Sequence, residues 1–241
     1  MHIDINCDMG EGMGNDEAIM PFITSANITC GYHAGNKKTI RSTMLLAKKY
    51  GINVGAHPSF LDRENFGRTE LKASPDEIYH LVMRQLHLFE KIADTCKVQI
   101  HHVKPHGALY NIAARDELVA KAIALAVKDF NGHLLVYGLS NSCLTKEVKK
   151  MGIPARNEVF ADRTYQDDGS LTPRSQPDAL IEDEEQVVRQ VLQMVKKKTV
   201  TAVSGKLIPI VAETVCLHSD GKHAVQFAKR LYDALKPELH S

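Results

Sequence analysis

Short β-rich runs of apolar residues alternate with longer stretches of helical periodicity along the whole chain. The β-rich runs fall at 2–7, 25–30, 52–57, 99–104, 133–138, 155–160 and 213–218. Between them, Leu118, Val119, Ala122, Ile123, Ala126 and Val127 form one apolar stripe, and Ala224, Phe227, Ala228, Leu231 and Leu235 another. Ser74-Pro75-Asp76-Glu77 predicts a helix start, with Ser as N-cap, Pro at the first helical position and Glu completing a capping box. Glu182–Glu185 and Lys196–Lys198 sit at opposite ends of one helix, as its dipole favours, and read as solvated ends rather than binding patches. A small hairpin is expected over 199–210, around Ser204-Gly205. Seven β-runs alternating with helices predict parallel strands joined by right-handed crossovers. The fold class is therefore α/β: one domain over 1–241, a seven-stranded β/α barrel, closed or incomplete, with an open doubly wound sheet as the alternative.

The polar residues cluster where the strands end. Asp4-Ile5-Asn6-Cys7-Asp8 runs into Gly10-Glu11-Gly12, Asn27–Cys30 into Gly31–Gly35, and Val54-Gly55-Ala56 into His57-Pro58. His102-Val103-Lys104-Pro105-His106-Gly107, Glu158–Arg163 and Cys216–Gly221 continue the series. Six such clusters following six strands point to an enzyme site at one mouth of a barrel, where the loops after the strands carry chemistry. Asp162–Asp178, rich in Asp, Gly, Ser and Pro, reads as a long loop that acts as a lid over that mouth.

Charge narrows the class. With 30 basic and 29 acidic residues in 241, the chain has no field suited to nucleic acid or an anionic membrane. No apolar run approaches the roughly 20 residues of a membrane span, and no signal-peptide pattern opens the sequence. Five scattered cysteines without metal-knuckle spacing favour a reducing, cytoplasmic location.

Alternation along the first strand puts Asp4, Asn6 and Asp8 on one side. Facing inward, they need a salt bridge to Lys104 or Arg163, a metal, or a catalytic use to offset their burial. His33, His57, His106 and His218 follow four different strands, and together they suit either a divalent metal or proton transfer near neutral pH. Lys104 can neutralise a carboxylate or polarise a carbonyl oxygen. Arg68, Arg163 and Arg174 each offer a fork for a substrate carboxylate or an ordinary loop salt bridge. Cys7 and Cys30 are buried-strand cysteines before they are nucleophiles. Gly10-Glu11-Gly12-Met13-Gly14 has the glycines of a phosphate cradle but the spacing of neither nucleotide fingerprint.

Taken together, Asn6–Glu11, Ala26–Gly35, Gly55–Ser59, Val103–Asn111 and Glu158–Arg163 resemble the LamB/YcsF family, in the same order from first strand to last. That family is similar to the A component of the bacterial ATP-dependent 5-oxoprolinase. The resemblance implies a barrel related to polysaccharide deacetylases and cleavage of 5-oxo-L-proline to L-glutamate. It also implies ATP with Mg²⁺ at the level of a complex, and two further subunits, B and C. For that reaction Asp8, Lys104 and His106 are the catalytic candidates, with Asp8 or His106 as base and Lys104 stabilising an oxyanion. Asn6, Glu11, Asn27, His33, His57, Arg68, Tyr110, Arg163 and Arg174 are candidates for substrate binding, and Asp8, His57 and His106 for a divalent metal.

The chain departs from the family pattern at two places. Asn36-Lys37 replaces a usual Asp-Pro, which predicts a missing carboxylate beside His33. His218-Ser219-Asp220-Gly221-Lys222-His223 replaces a His-Gly-Asp followed by a Pro-Gly turn. Two other readings remain at this level: a stand-alone metal-dependent carbohydrate or amide deacetylase, and a non-catalytic regulatory subunit that binds a small acid.

Overall fold

The computed structural model describes residues 3–218 and 224–239. In chain order the elements are β1 (Asp4–Met9), α1 (Asp16–Ile19), β2 (Ser25–Thr29), α2 (Lys37–Tyr50), β3 (Asn53–His57), α3 (Pro75–Cys96), β4 (Ile100–Val103), α4 (Gly107–Arg115) and α5 (Glu117–Asn131). There follow β5 (Leu135–Leu139), α6 (Cys143–Lys150), β6 (Ala155–Phe160), α7 (Glu184–Leu192), β7 (Thr199–Thr201), β8 (Leu207–Pro209), β9 (Thr214–Leu217) and α8 (Ala224–Leu239). Seven of the strands close a parallel barrel in the order β1-β2-β3-β4-β5-β6-β9, and β7 and β8 form a separate antiparallel hairpin. The barrel is thus complete, and the open sheet is excluded. No helix among the described residues is long and apolar enough to cross a membrane.

Local sequence sets the helix ends as expected. At α3 the Ser74 hydroxyl accepts from the Glu77 N–H at 3.3 Å, while Glu77 Oε2 accepts from the Ser74 N–H at 2.7 Å. A cap of this kind contributes about 1 kcal/mol. The α3 face of Ile78, Val82, Leu86 and Phe89 is buried, and the helix packs against α2 and α5. Burying one such side chain contributes about 2 kcal/mol.

The inside of the barrel is polar, because alternation in β1 sends Ile5, Cys7 and Met9 to the apolar outer layer and Asp4, Asn6 and Asp8 inward. All three inward side chains are buried, and each is satisfied across the barrel. Asp4 accepts from the hydroxyls of Thr24, Ser25 and Thr214 at 2.6, 2.6 and 2.5 Å. Asn6 donates to Thr214 Oγ1 at 2.6 Å and accepts from Asn27 at 2.7 Å. His102, on β4, donates through Nε2 to Asn27 Oδ1 at 2.7 Å and stacks on Tyr137 with ring centroids 4.1 Å apart. Gly55 on the neighbouring β3 makes room for that imidazole, since a Cβ there would lie 2.1 Å from His102 Nε2. A histidine fills the barrel because its neighbour has no side chain.

Two outcomes follow for this interior. Gly55→Ala forces the His102 ring from its stack and should destabilise the protein by at least about 2 kcal/mol in urea unfolding. Burial, reinforced by His101 and Lys104, holds the His102 imidazole well below its ordinary range, so it stays neutral when folded. The unfolded chain takes up that proton below about pH 6.5. The contribution is therefore whole above that pH and is lost as pH falls, by up to about 1.4 kcal/mol per unit. Unfolding curves between pH 7 and pH 5 should show a shallower loss for His102→Gln than for the parent. Equal slopes would remove His102 as a cause of acid sensitivity.

Candidate active site at the barrel mouth

The C-terminal ends of the strands open into a cavity of about 750 Å³. Its floor is organised by Lys104, one residue beyond β4 and fully buried. The ammonium lies 3.0 Å from Asp8 Oδ1, 3.2 Å from Asn6 Oδ1, 3.1 Å from Cys216 Sγ and 2.8 Å from Glu158 Oε1. Burial alone would strip its proton, but Asp8, Cys216 and Glu158 outweigh that and raise its pKa well above the ordinary lysine value. Burial also works to raise the Asp8 carboxyl, yet the positive charge on His57 and Lys104 holds it well below the usual range. Asp8 is a carboxylate and Lys104 an ammonium at neutral pH. Glu158 meets Lys104 as an ion pair off the hydrogen-bond direction, and neither of its oxygens has a well-aligned donor. Burial and the adjacent Glu158 charge together raise the Tyr110 phenol.

Beside this charged floor stand three histidines from three loops. His33 and His106 stack with centroids 3.8 Å apart and planes 7° from parallel, and His57 stands across His106 at 82°. His57 Nδ1 is 2.6 Å from the Lys104 carbonyl oxygen, and His106 Nε2 is 2.9 Å from that of Phe66. Their other nitrogens face each other at 2.9 Å, with Asp8 Oδ2 3.3 Å from His57 Nε2 and Glu11 Oε1 3.7 Å from His106 Nδ1. His33 Nε2 meets Glu11 Oε1 at 2.8 Å, and its Nδ1 meets Ser59 Oγ at 2.9 Å. Burial pushes His33 down to about 2, and burial with the neighbouring His33 and His57 lowers His106 well below the imidazole range. The Lys-Pro-His-Gly turn sets this geometry. Gly107 takes φ +57°, and a Cβ there would stand 2.4 Å from the Gly67 carbonyl oxygen.

The walls carry Arg68, Tyr110, Arg163, Arg174 and His218. Arg68 lies over the Phe66 ring, with its guanidinium carbon 5.0 Å from the centroid. His218 Nδ1 is 2.9 Å from Asp162 Oδ1, and its ring stacks on Phe160. Arg163 departs from its expected use. Its Nε and Nη2 donate to the carbonyls of Ala179 and Thr172, so much of its fork ties the loop to itself. Burial next to Arg174 lowers it to about 10. The loop is correspondingly less free than a flexible lid. Tyr165 is buried with its hydroxyl accepting from the Phe160 N–H at 2.8 Å, and Gln190 of α7 donates to the carbonyls of Phe160, Ala161 and Arg163. Residues 166–176 form the upper wall.

The structure brings Asp8, His33, His57, Lys104 and His106 to one end of the strands. Among the proposed substrate contacts, Glu11, His57, Arg68, Tyr110, Arg163 and Arg174 line the cavity. Asn6, Asn27 and His33 do not: they are buried beneath or behind it and hold the groups that do. The cysteines are not nucleophiles. Burial raises Cys7 well above the ordinary thiol value and Cys30 to about 12. The glycine loop is no phosphate cradle either, since the Gly10 N–H donates to Asp16. The carboxylate thought missing beside His33 is supplied by Glu11, while Asn36 is an exposed cap whose side chain accepts from the N–H groups of Lys38 and Thr39. Asp220 lies outside the described residues.

Glu158, Cys216 and His102 are the inward groups that reading the sequence did not select. Glu158 had a signal, an acidic residue within an apolar strand with the same alternation that exposed Asp8. Two groups of side chains place donor atoms close enough for a cation: Glu11, His33, His57 and His106, and Asp8, Cys216 and His218. The second group already has the Lys104 ammonium at Asp8 and Cys216.

Removing the ammonium exposes what it balances. Lys104→Met should lower unfolding free energy by about 3–5 kcal/mol at pH 7, because two buried carboxylates lose their shared counter-charge. The sign with pH is fixed by Asp8. Its depressed pKa stabilises the parent above about pH 3.9, and this is lost as pH falls through the folded value. The gap between parent and variant should therefore narrow from pH 7 to pH 4 in urea titrations, and a constant gap would contradict the pairing.

Comparison with known proteins agrees with this architecture. A lactam utilization protein from Thermus thermophilus is 39% identical, with a TM-score of 0.90 over 98% of this chain and 97% of that one. A family 4 carbohydrate esterase from Streptomyces lividans, solved in complex with acetate, aligns at 9% identity and a TM-score of 0.47, over 98% of this chain and 88% of that one. The family model of the LamB/YcsF family matches residues 3–240, and the chain belongs to that family.

Proposed function

We propose that this chain is the ring-opening subunit of an ATP-dependent 5-oxoprolinase, converting 5-oxo-L-proline to L-glutamate while ATP becomes ADP and phosphate. Two further subunits, B and C, complete the enzyme in the cytoplasm. The observation that carries the reading is the mouth itself. A buried ammonium, an ionised carboxylate and neutral imidazoles meet at the foot of one cavity, in a chain similar over nearly its full length to a lactam utilization protein.

The chemistry suits these groups. A five-membered lactam is an unreactive amide, and transfer of a phosphoryl group from ATP to its oxygen makes the ring carbon electrophilic. A first water adds to that carbon, and the ring C–N bond breaks as nitrogen takes a proton. The acyl phosphate left behind takes a second water and releases phosphate. Asp8 serves as the proton acceptor for water and Lys104 balances negative charge on oxygen. His106 is less suited to be the base, because burial and the neighbouring rings depress its proton affinity. Arg68 and Arg174 on the walls grip the substrate carboxylate, in place of the internally tied Arg163. ATP with Mg²⁺ is handled with the partner chains, since this sequence has no nucleotide-binding fingerprint.

The test is a coupled assay of glutamate and ADP, run on the isolated chain and on the chain with its partners. The chain alone should turn over little 5-oxoproline with Mg-ATP, and the partners should restore turnover. Within the reconstituted enzyme, Asp8→Asn and Lys104→Ala, each checked for folding by circular dichroism, should slow glutamate formation by about 10²-fold or more. Full turnover by the isolated chain would refute the partner requirement. Parental rates in both variants would remove these residues from the mechanism. Glutamate release without ATP would overturn the coupling.

A further inference from the structure

The pair His57–His106 poses a proton-counting problem that its surroundings sharpen. His57 commits its Nδ1–H to the Lys104 carbonyl, and His106 commits its Nε2–H to the Phe66 carbonyl. A carbonyl oxygen only accepts, so these bonds fix both tautomers. The facing nitrogens, His57 Nε2 and His106 Nδ1, are then two lone pairs 2.9 Å apart with no proton between them. Glu11 Oε1 stands 3.7 Å from one of them, and Asp8 Oδ2 stands 3.3 Å from the other. Two lone pairs and two carboxylates directed at one small volume repel one another unless a cation lies among them.

Which side chains hold that cation follows from ring geometry and exposure. Donor atoms of Glu11, His33, His57 and His106 all lie within 4.8 Å of one another. His33 and His106 are stacked nearly parallel at 3.8 Å, so their in-plane lone pairs run side by side and cannot both point at one ion. His57 stands at 82° to His106, so those two lone pairs converge. Glu11, His57 and His106 line the cavity, whereas His33 does not. His33 instead contacts Glu11 at 2.8 Å from behind, with Ser59 at its other nitrogen. That is the arrangement of an outer partner orienting a ligand.

We propose that Glu11, His57 and His106 bind one divalent first-row transition ion of the Zn²⁺ class, with the remaining coordination position facing the cavity. Two imidazoles and one carboxylate select such ions over Mg²⁺ or Ca²⁺, which prefer oxygen alone. Three protein ligands with one open position are the form that leaves room for water or substrate. Bonds of about 2.1 Å place neighbouring donors roughly 3.4 Å apart, so the histidine pair opens by about half an ångström on binding. When bound, the ion would lower the proton affinity of a coordinated water. The site is independent of the lactam reading, since it rests on tautomers and geometry alone.

The test is direct metal binding. The full chain, stripped with a chelator, is titrated with Co²⁺ and then Zn²⁺, read by visible d–d absorption and by metal content after dialysis. One ion per chain at micromolar affinity or tighter is expected, with a Co²⁺ spectrum of low coordination number that Zn²⁺ abolishes. His57→Gln and His106→Gln should each weaken binding by more than ~100-fold, and His33→Gln by about 10-fold. No uptake by the parent chain would overturn the proposal, as would parental affinity in both ligand variants. Nitrogen-15 spectra of the parent histidines give a measurement that needs no variant. Both shifts should move on adding Zn²⁺, and an imidazolium signal at His57 or His106 that Zn²⁺ leaves unchanged would identify a shared proton as the cation instead. Activity assays play no part, so failure here leaves the proposed reaction standing.

Discussion

The ion triad of Lys104 with Asp8 and Glu158 is the constraint on which the barrel mouth depends. It ties β1, the end of β4 and β6, strands that are not neighbours in the barrel order, through one ammonium at the axis. A charge so deeply buried is tolerated only where opposite charge and hydrogen bonds replace water. The polar lining of the barrel follows from this. Asn6 and Asn27 bond the carboxylate and the ammonium, Thr214 supports Asn6, and His102 supports Asn27. An apolar barrel interior would leave the triad without this support.

The surrounding shell is conventional by contrast. Apolar helices cover the outer face of the strands, and their ends are set by local caps at Ser74, Asn36, Asp116 and Ser142. Structure and chemistry are therefore divided by face. The outside of each strand supplies the core, and the inside supplies charge and hydrogen bonds to the mouth. The same strand residues alternate between the two tasks, which is why one-residue shifts of register cannot be tolerated.

This division also explains what could be read from the chain. Strand alternation in Asp4–Asp8, the Ser74 capping box and the polar clusters after each strand are local patterns, and they located seven barrel strands and the mouth. Partners across the barrel are not local. Nothing near Gly55 in sequence announces that His102, on the next strand, needs its volume. Arg163 has the composition of a substrate grip, but its role was decided by the carbonyls of Thr172 and Ala179, which only the folded loop brings to it. At Asn36 the family comparison suggested a lost carboxylate, yet a helix needs only an acceptor at its cap, and Glu11 meets His33 from another loop. Pairwise geometry, rather than residue type, separated cavity-lining groups from supporting ones.

The hydrogen-bonded column within the barrel has a consequence for how this family can diverge. From Asp4 through Thr214, Asn6 and Asn27 to His102, each member satisfies the next, so no position can change polarity alone without orphaning its neighbour. Drift along the column must proceed by paired substitutions, with the viable route narrowed by the order in which they arise. The helical shell is under no such restriction. Lineages should therefore vary freely on the outside while the interior moves, when it moves at all, by coordinated jumps.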